Sequence, residues 1–140
     1  MESSLVLIKP DAMKRELAGA ILDRLQKAGM KLVGLKMLHL DEAMAQKHYA
    51  VHWDKPFFPD LVRYITSTPI VAAAFEGENA VDTIRSTMGS TDPAKAEAGT
   101  IRGDFGLDIE RNSVHGSDST ENAKVELDLF FTQEELFTES

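Results

Sequence analysis

The apolar positions of this chain fall into runs, stripes and alternations that mark out its elements. Ser3 to Ile8 is a short apolar run with β-branched residues, the pattern of a strand buried on both faces. Asp11 follows as a helix cap, and Leu17, Ile21, Leu25 and Ala28 then recur at spacings of four, four and three. They form one stripe and predict a single helix from about Met13 to Ala28, stopped by Gly29. Lys31 to Leu40 alternates as a strand with Val33, Leu35, Met37 and His39 on one face, and Asp41 caps a short helix containing Tyr49. Trp53 to Pro59 reads as a turn before another short helix at about Asp60 to Thr66. Pro69 restarts the chain as a buried strand, Ile70 to Phe75. Asn79 with Asp82 forms an N-cap pair for a helix using Val81, Ile84 and Met88.

From Gly89 to Arg111 no period survives. The stretch holds Gly89, Gly99, Gly103, Gly106 and Pro93, and a loop of that length inside a compact domain is functional or disordered. A short strand ends near His115, and a helix follows from about Ser119 to Leu129. The order β-α-β-(α)-α-β-α-loop-β-α predicts an α/β (α+β) fold of the ferredoxin-like, split βαβ plan, with helices on one face of a four-stranded antiparallel sheet. No repeat, low-complexity tract or Pro/Gly-rich linker divides the chain, so residues 1–140 are read as one domain.

Composition narrows the chemistry. With no cysteine, disulfide stapling, thiolate catalysis and cysteine-ligated metal sites are excluded together. The longest apolar run, Ile70 to Phe75, is far too short to cross a bilayer, and Leu5 to Ile8 is too brief for a signal-peptide core, which points to a cytoplasmic protein. The net charge is −8 and unevenly placed: residues 1–70 hold ten bases and eight acids, residues 71–140 five bases and fifteen acids. Such a surface repels phosphate backbones at long range, so no specific nucleic-acid partner is expected, and it accords with either plain solubility or adaptation to high salt.

Three loop-rich places combine polar and special residues: Ile8 to Asp11, Thr91 through Asp104, and Asn112 to Ser119. His115 ends a strand, with Gly116 after it to clear space, just before a helix whose N-terminus favours anions. Glu126, at the edge of that helix's apolar face, is placed to hydrogen-bond one imidazole nitrogen and leave the other as a nucleophile; the alternative is an ordinary surface acid. Lys9, Arg85 and Arg102 form a phosphate clamp if they converge, and three separate surface salt bridges if they do not. Thr91 and Asn112 add neutral hydrogen-bonding groups. Phe57 and Phe58 follow Pro56 in a turn, where one ring is free to offer its face to a base. There is no P-loop, dinucleotide-binding, zinc-protease or EF-hand pattern, so a metal is expected to arrive with the ligand.

Asn112-Ser-Val-His115-Gly-Ser-Asp-Ser119 resembles the active-site signature of the nucleoside diphosphate kinase family, in its bacterial form. Ile8-Lys-Pro-Asp11, His48-Tyr49, Lys55-Pro-Phe57-Phe58, Glu76-Gly-Glu-Asn-Ala80, Gly89-Ser-Thr91 and Gly99-Thr-Ile-Arg102-Gly-Asp-Phe105 resemble the family's other segments in the same order, from about Ser4 to Phe131. The resemblance implies that His115 takes the γ-phosphoryl group of a nucleoside triphosphate, ATP foremost, and passes it to a nucleoside diphosphate in ping-pong fashion. It implies that Glu126 and Ser117 orient or assist His115. Lys9, Arg85, Thr91, Arg102 and Asn112 would contact phosphates and sugar, Phe57 would stack on the base, and Tyr49 and His52 would line the phosphate side. It further implies Mg²⁺ carried by the nucleotide phosphates with no direct protein ligand, broad base and sugar tolerance, a role in maintaining triphosphate pools, and a homo-oligomer built from dimers. Ala98 stands where the family commonly has proline. The tail Thr132 to Ser140 carries Glu134, Glu135 and Glu139 and no base, so repulsion between copies is expected to favour a dimer over tetramer or hexamer. A ligand-binding module of the same fold without catalysis is the other reading.

Overall fold

The computed structural model describes residues 1–138, so Glu139 lies outside the described residues. Four strands, β1 (Glu2–Ile8), β2 (Lys31–Leu38), β3 (Ile70–Gly77) and β4 (Val114–Gly116), form one sheet in the order β2-β3-β1-β4, every pair antiparallel. Among the described residues seven α-helices connect and cover them: α1 (Pro10–Lys14), α2 (Ala18–Lys27), α3 (Glu42–His48), α4 (Phe58–Ile65), α5 (Ala80–Met88), α6 (Ile101–Phe105) and α7 (Thr120–Phe130). This is the ferredoxin-like plan expected from the element order, with one correction: helices cover both faces of the sheet. Val6, Ile8, Ala73 and Phe75 pack on one side with Ile21, Leu25, Ile84 and Met88 of α2 and α5. Leu5, Leu7, Ala72 and Ala74 pack on the other with Val62, Ile65, Leu127 and Phe130 of α4 and α7. The central strands are apolar at consecutive positions because each residue meets a helix on its own side, at about 1.5–3 kcal/mol for each large side chain removed from water.

Three expected elements differ, each for a local reason. The single helix from Met13 to Ala28 is two, broken where Glu16 adopts φ 59°. Leu17 then starts the second helix on the same stripe, which hides the break from a count of spacings. The strand β2 does not keep Val33, Leu35 and Met37 on one face. A bulge between Leu32 and Gly34 inserts Val33 into the layer of Leu5 and Leu7, whereas Leu35 and Met37 lie opposite Ala73 and Val71 on the other side. There, at the sheet edge, they are 51% and 65% exposed. Asn79 is not a side-chain cap; it takes φ 52°, and the first turn of α5 is capped by Glu2, whose carboxylate accepts from the Val81 N–H at 3.1 Å. The aperiodic stretch 89–111 is ordered around α6, whose cap Thr100 accepts from the Gly103 N–H at 3.1 Å.

Candidate active site

Strand parity decides where His115 points. On the three-residue β4, Val114 belongs to the layer of α2 and α5, and a Cβ on Gly116 would come within 2.7 Å of the Met88 sulfur on that side. Gly116 therefore admits α5 beneath the strand and does not clear space for a ligand. His115 pairs with Leu7 and so faces the side of α3, α4 and α7. There its Nε2 meets Glu126 Oε1 at 2.8 Å, and Ser117 Oγ donates to the same oxygen at 2.8 Å. Ser117 Oγ also accepts from the Leu5 N–H at 3.4 Å, which ties the pair to the central strand. Burial works against the Glu126 charge, yet the hydrogen bonds from His115 and Ser117 and the imidazole's charge hold its carboxyl below the usual carboxylate range. An ionised Glu126 calls for a proton on Nε2 and leaves the Nδ1 lone pair of His115 free.

The cations converge. Lys9, at the C-terminal end of β1, donates from Nζ to the Glu110 carbonyl at 2.7 Å and to Asn112 Oδ1 at 3.0 Å. Burial pushes its amine down to about 8. Arg102 on α6 donates to the carbonyls of Gly89 at 3.1 Å and Val114 at 2.9 Å, which fixes its guanidinium under the chain next to His115. Burial, with Arg85 nearby as a like charge, lowers it to about 10. Arg85 on α5 is exposed toward the same cleft. Asn112 Nδ2 donates to the Thr91 carbonyl at 3.1 Å, holding the loop that presents the Thr91 side chain. These five residues and His115, Tyr49, His52, Phe57 and Glu126 line one cleft of about 530 Å³. Ser117 lies behind Glu126, fully buried. Phe57 is 46% exposed, its ring centroid 5.5 Å from that of His52, and it offers a free face at the rim.

Two groups escaped the sequence reading as site residues. The first is a buried brace under the signature loop. Asp11 accepts from the Ser113 N–H at 3.3 Å and the Ser113 hydroxyl at 3.2 Å, and it also accepts a hydrogen bond from the Tyr64 hydroxyl. Ser113 sits at φ 77°, a conformation that costs a non-glycine residue of order 1–3 kcal/mol and persists because Asp11 overdetermines it. Asp11 reads as a helix cap, and the helix it was expected to cap begins one residue before it, so its carboxylate is free for this task. The second is His48, the last residue of α3. Its ring stands nearly perpendicular to that of His115, centroids 4.7 Å apart, and burial pushes it down to about 3. The available signal was the His48-Tyr49 segment, in which only Tyr49 was given a role.

Among the described residues, the group of His, Asp and Glu side chains spaced to hold a metal is His48, His115 and Glu126. It is nitrogen-rich, and among the described residues no oxygen cage of the kind Mg²⁺ demands surrounds the cleft, where Lys9, Lys47, Arg85 and Arg102 stand instead. The donor set fits a Mg²⁺ that comes on the phosphates of a nucleotide. No helix among the described residues is long and apolar enough to cross a membrane.

The profile of the family described as "Nucleoside diphosphate kinase" matches residues 2–136. The chain is 61% identical over 136 residues to a nucleoside diphosphate kinase of Dehalococcoides mccartyi, covering 97% of this chain and 96% of that one. It is 51% identical to one of Archaeoglobus fulgidus, covering 97% and 90%. The fold superposes on the crystal structure of the Aquifex aeolicus nucleoside diphosphate kinase with a TM-score of 0.94 at 39% identity, covering 96% of this chain and 98% of that one. A nucleoside diphosphate kinase family protein from Babesia bovis gives 0.95 at 41%, covering 100% and 95%. With its profile matched almost end to end and its fold and sequence agreeing, the chain belongs to the nucleoside diphosphate kinase family, enzymes of nucleotide phosphate transfer.

Proposed function

We propose that this enzyme moves the γ-phosphoryl group from a nucleoside triphosphate, mainly ATP, to a nucleoside diphosphate through a phosphohistidine at His115. The observation that carries the reading is the 2.8 Å contact between His115 Nε2 and Glu126, which spends one ring nitrogen and leaves the other open to the cleft. Nδ1 attacks the γ-phosphorus in line, the P–N bond forms as the bond to the β,γ-bridging oxygen breaks, and the diphosphate leaves with that electron pair. A second diphosphate then attacks the phosphohistidine, and the electron pair of the P–N bond returns to Nδ1. Throughout, Glu126 holds the Nε2 proton and steadies the positive ring, and Ser117 fixes the carboxylate oxygen that does so. Lys9, Arg85 and Arg102 face the charge that spreads over the transferred group, while Asn112 and Thr91 add neutral hydrogen-bonding groups for phosphate and sugar. Mg²⁺ carried on the nucleotide phosphates would draw off negative charge there, beside the charge that Lys9, Arg85 and Arg102 present to the same phosphates. Phe57 offers a π-face, which every base has, so broad tolerance of base and of ribose or deoxyribose follows. Tyr49 and His52 close the phosphate side. A general transfer of this kind serves to maintain triphosphate pools in the cytoplasm.

Incubation with γ-labelled ATP and Mg²⁺, then a chase with unlabelled GDP, tests the path. Acid-labile, alkali-stable label on the protein that moves to GTP, and is absent in His115→Ala, is the expected result. Label on neither leaves a nucleotide-binding module without a working nucleophile. For assembly we propose a dimer-based homo-oligomer. Glu135 accepts from Lys36 Nζ at 3.0 Å and from the Thr132 N–H at 2.8 Å, so much of its charge is answered within the chain and Glu134 carries the repulsion between copies. Sedimentation at low and high salt checks this; a single sharp tetramer or hexamer at low salt overturns the dimer preference.

A further inference from the structure

His48 is the one buried imidazole in the cleft to which the transfer reaction gives no task. It lines the cleft, and both its ring nitrogens are buried without a hydrogen-bond partner. A buried polar group left in that state costs free energy, so its position asks for a ligand. Its donor atom, one from His115 and one carboxylate oxygen of Glu126 all lie within 4.8 Å of one another. From these juxtaposed donors we propose that His48, His115 and Glu126 form a site for a borderline transition-metal cation, Zn²⁺ foremost, which switches the enzyme off by occupying its nucleophile.

The ligand set selects the metal. Two imidazoles and one carboxylate suit Zn²⁺ and its neighbours Co²⁺, Ni²⁺ and Cu²⁺, and are a poor match for Mg²⁺, which wants oxygen in octahedral array. Ligand distances near 2.0–2.2 Å place tetrahedral donors about 3.4 Å apart, so the present spacing closes by roughly 1 Å on loading. His115 Nε2 and Glu126 Oε1 already stand 2.8 Å apart, which leaves most of that movement to the His48 ring. The His115 side chain is 27% exposed, so the fourth position opens on the cleft, where water or a phosphate oxygen completes the shell. The Glu126 carboxylate supplies the negative charge that offsets a dication near Lys9.

Inhibition follows from the count of lone pairs and rests on the phosphohistidine reading above; binding itself does not. Neutral imidazole has one nitrogen lone pair available to a cation. If the metal takes it at Nε2, the proton moves to Nδ1 and blocks attack on phosphorus there. If the metal takes Nδ1, the nucleophile is occupied directly.

Zn²⁺ alone is titrated calorimetrically into the full chain without nucleotide, with Co²⁺ binding followed by its visible absorption. One saturable site per chain is expected, weakened by roughly tenfold or more in both His48→Gln and Glu126→Gln and unchanged in His39→Gln, whose imidazole lies at a distance on the surface. On the unmodified protein, imidazole ¹⁵N resonances of His48 and His115 should shift together with Zn²⁺, a readout that stands even if His48→Gln fails to fold. No saturable site, affinity retained in folded His48→Gln, or shifts confined to His39 and His52 overturns the proposal. Zn²⁺ binding with these signatures in a protein that never becomes labelled at His115 keeps the metal site and overturns the phosphohistidine instead.

Discussion

Two buried polar clusters flank the signature loop, and they are built on opposite rules. Around Asp11 every group is answered: two bonds from Ser113, one from Tyr64, and Arg15 at 3.4 Å on its outer side. Around His115 one nitrogen is answered by Glu126 and the other is left open to the cleft, with the orphaned His48 ring beside it. The first cluster stabilises a left-handed serine and so fixes the strand that follows. The second leaves reactivity unspent. Fold and chemistry are thus separable here, two residues apart in sequence, and substitutions should divide them.

The largest division is expected at His115. If His115 accepts the phosphoryl group as proposed, His115→Ala should lower transfer by on the order of 10⁴-fold or more, as loss of a covalent nucleophile does elsewhere. The ring is partly exposed, and its loss leaves Glu126 bound by Ser117, so denaturant unfolding should move by about 1 kcal/mol at most. Asp11→Ala inverts that pattern. It orphans the Ser113 N–H and hydroxyl and the Tyr64 hydroxyl, removes a counter-charge from buried Lys9, and should cost about 2–4 kcal/mol in urea unfolding. Its remaining activity, measured well below the unfolding midpoint, should exceed that of His115→Ala by orders of magnitude. Equal stability losses in the two variants would erase the distinction.

How much of this the sequence disclosed follows the same division. The central strands were legible because Leu5 to Ile8 and Ile70 to Phe75 are buried on both faces and leave no polar interruption. Helix α7 was legible because Ser119 announces it, accepting from the Asn122 N–H at 3.1 Å. The break at Glu16 was not, since a left-handed residue leaves no mark when the apolar stripe resumes in phase. Nor was the β2 bulge, because one inserted residue reverses parity while every residue type stays the same. In the site, His115, Glu126 and the cations were legible as residue types in special places, but their meeting was not. Lys9 and Asn112 are 103 positions apart, and Asp11 and Ser113 are 102. Convergence there came from the family resemblance. His48 was missed because its role lies in contacts it does not make.

Lys9 belongs to both clusters by position, and pH separates its two effects. Its folded value near 8 lies below the ordinary 10.5, since burial penalises the charged amine. Between about pH 8 and 10.5 the unfolded chain therefore binds the proton that the folded chain has released, and stability should rise with pH across that window. Activity should move the other way. kcat/KM, which reports groups of the free enzyme, should break downward above pH 8 as the positive charge proposed to face the phosphates is lost. In Lys9→Arg the guanidinium stays charged, so the plateau is lower but that break should be absent. The same break in Lys9→Arg would assign the titration to another group.

The smallest effect is the most discriminating, because Ser117 is shared. Its hydroxyl accepts from the Leu5 N–H at 3.4 Å, a long bond within the sheet, and donates to Glu126 at 2.8 Å, a short bond to the reacting pair. Ser117→Ala removes both while leaving the Ser117 N–H to Leu5 carbonyl contact of 3.2 Å in place. If the division between fixed and reactive clusters holds at a single side chain, the loss should fall on the chemical side. The Leu5 bond is too long to contribute much to stability, whereas losing the bond to an ionised carboxylate should cost about 1 kcal/mol. That corresponds to roughly a fivefold drop in kcat, with KM for the nucleotide nearly unchanged because Ser117 lies behind Glu126 and touches no substrate. A rise in KM with kcat preserved would mean that Ser117 acts on the nucleotide directly, and the boundary between the two clusters would have to be redrawn to place it in the cleft.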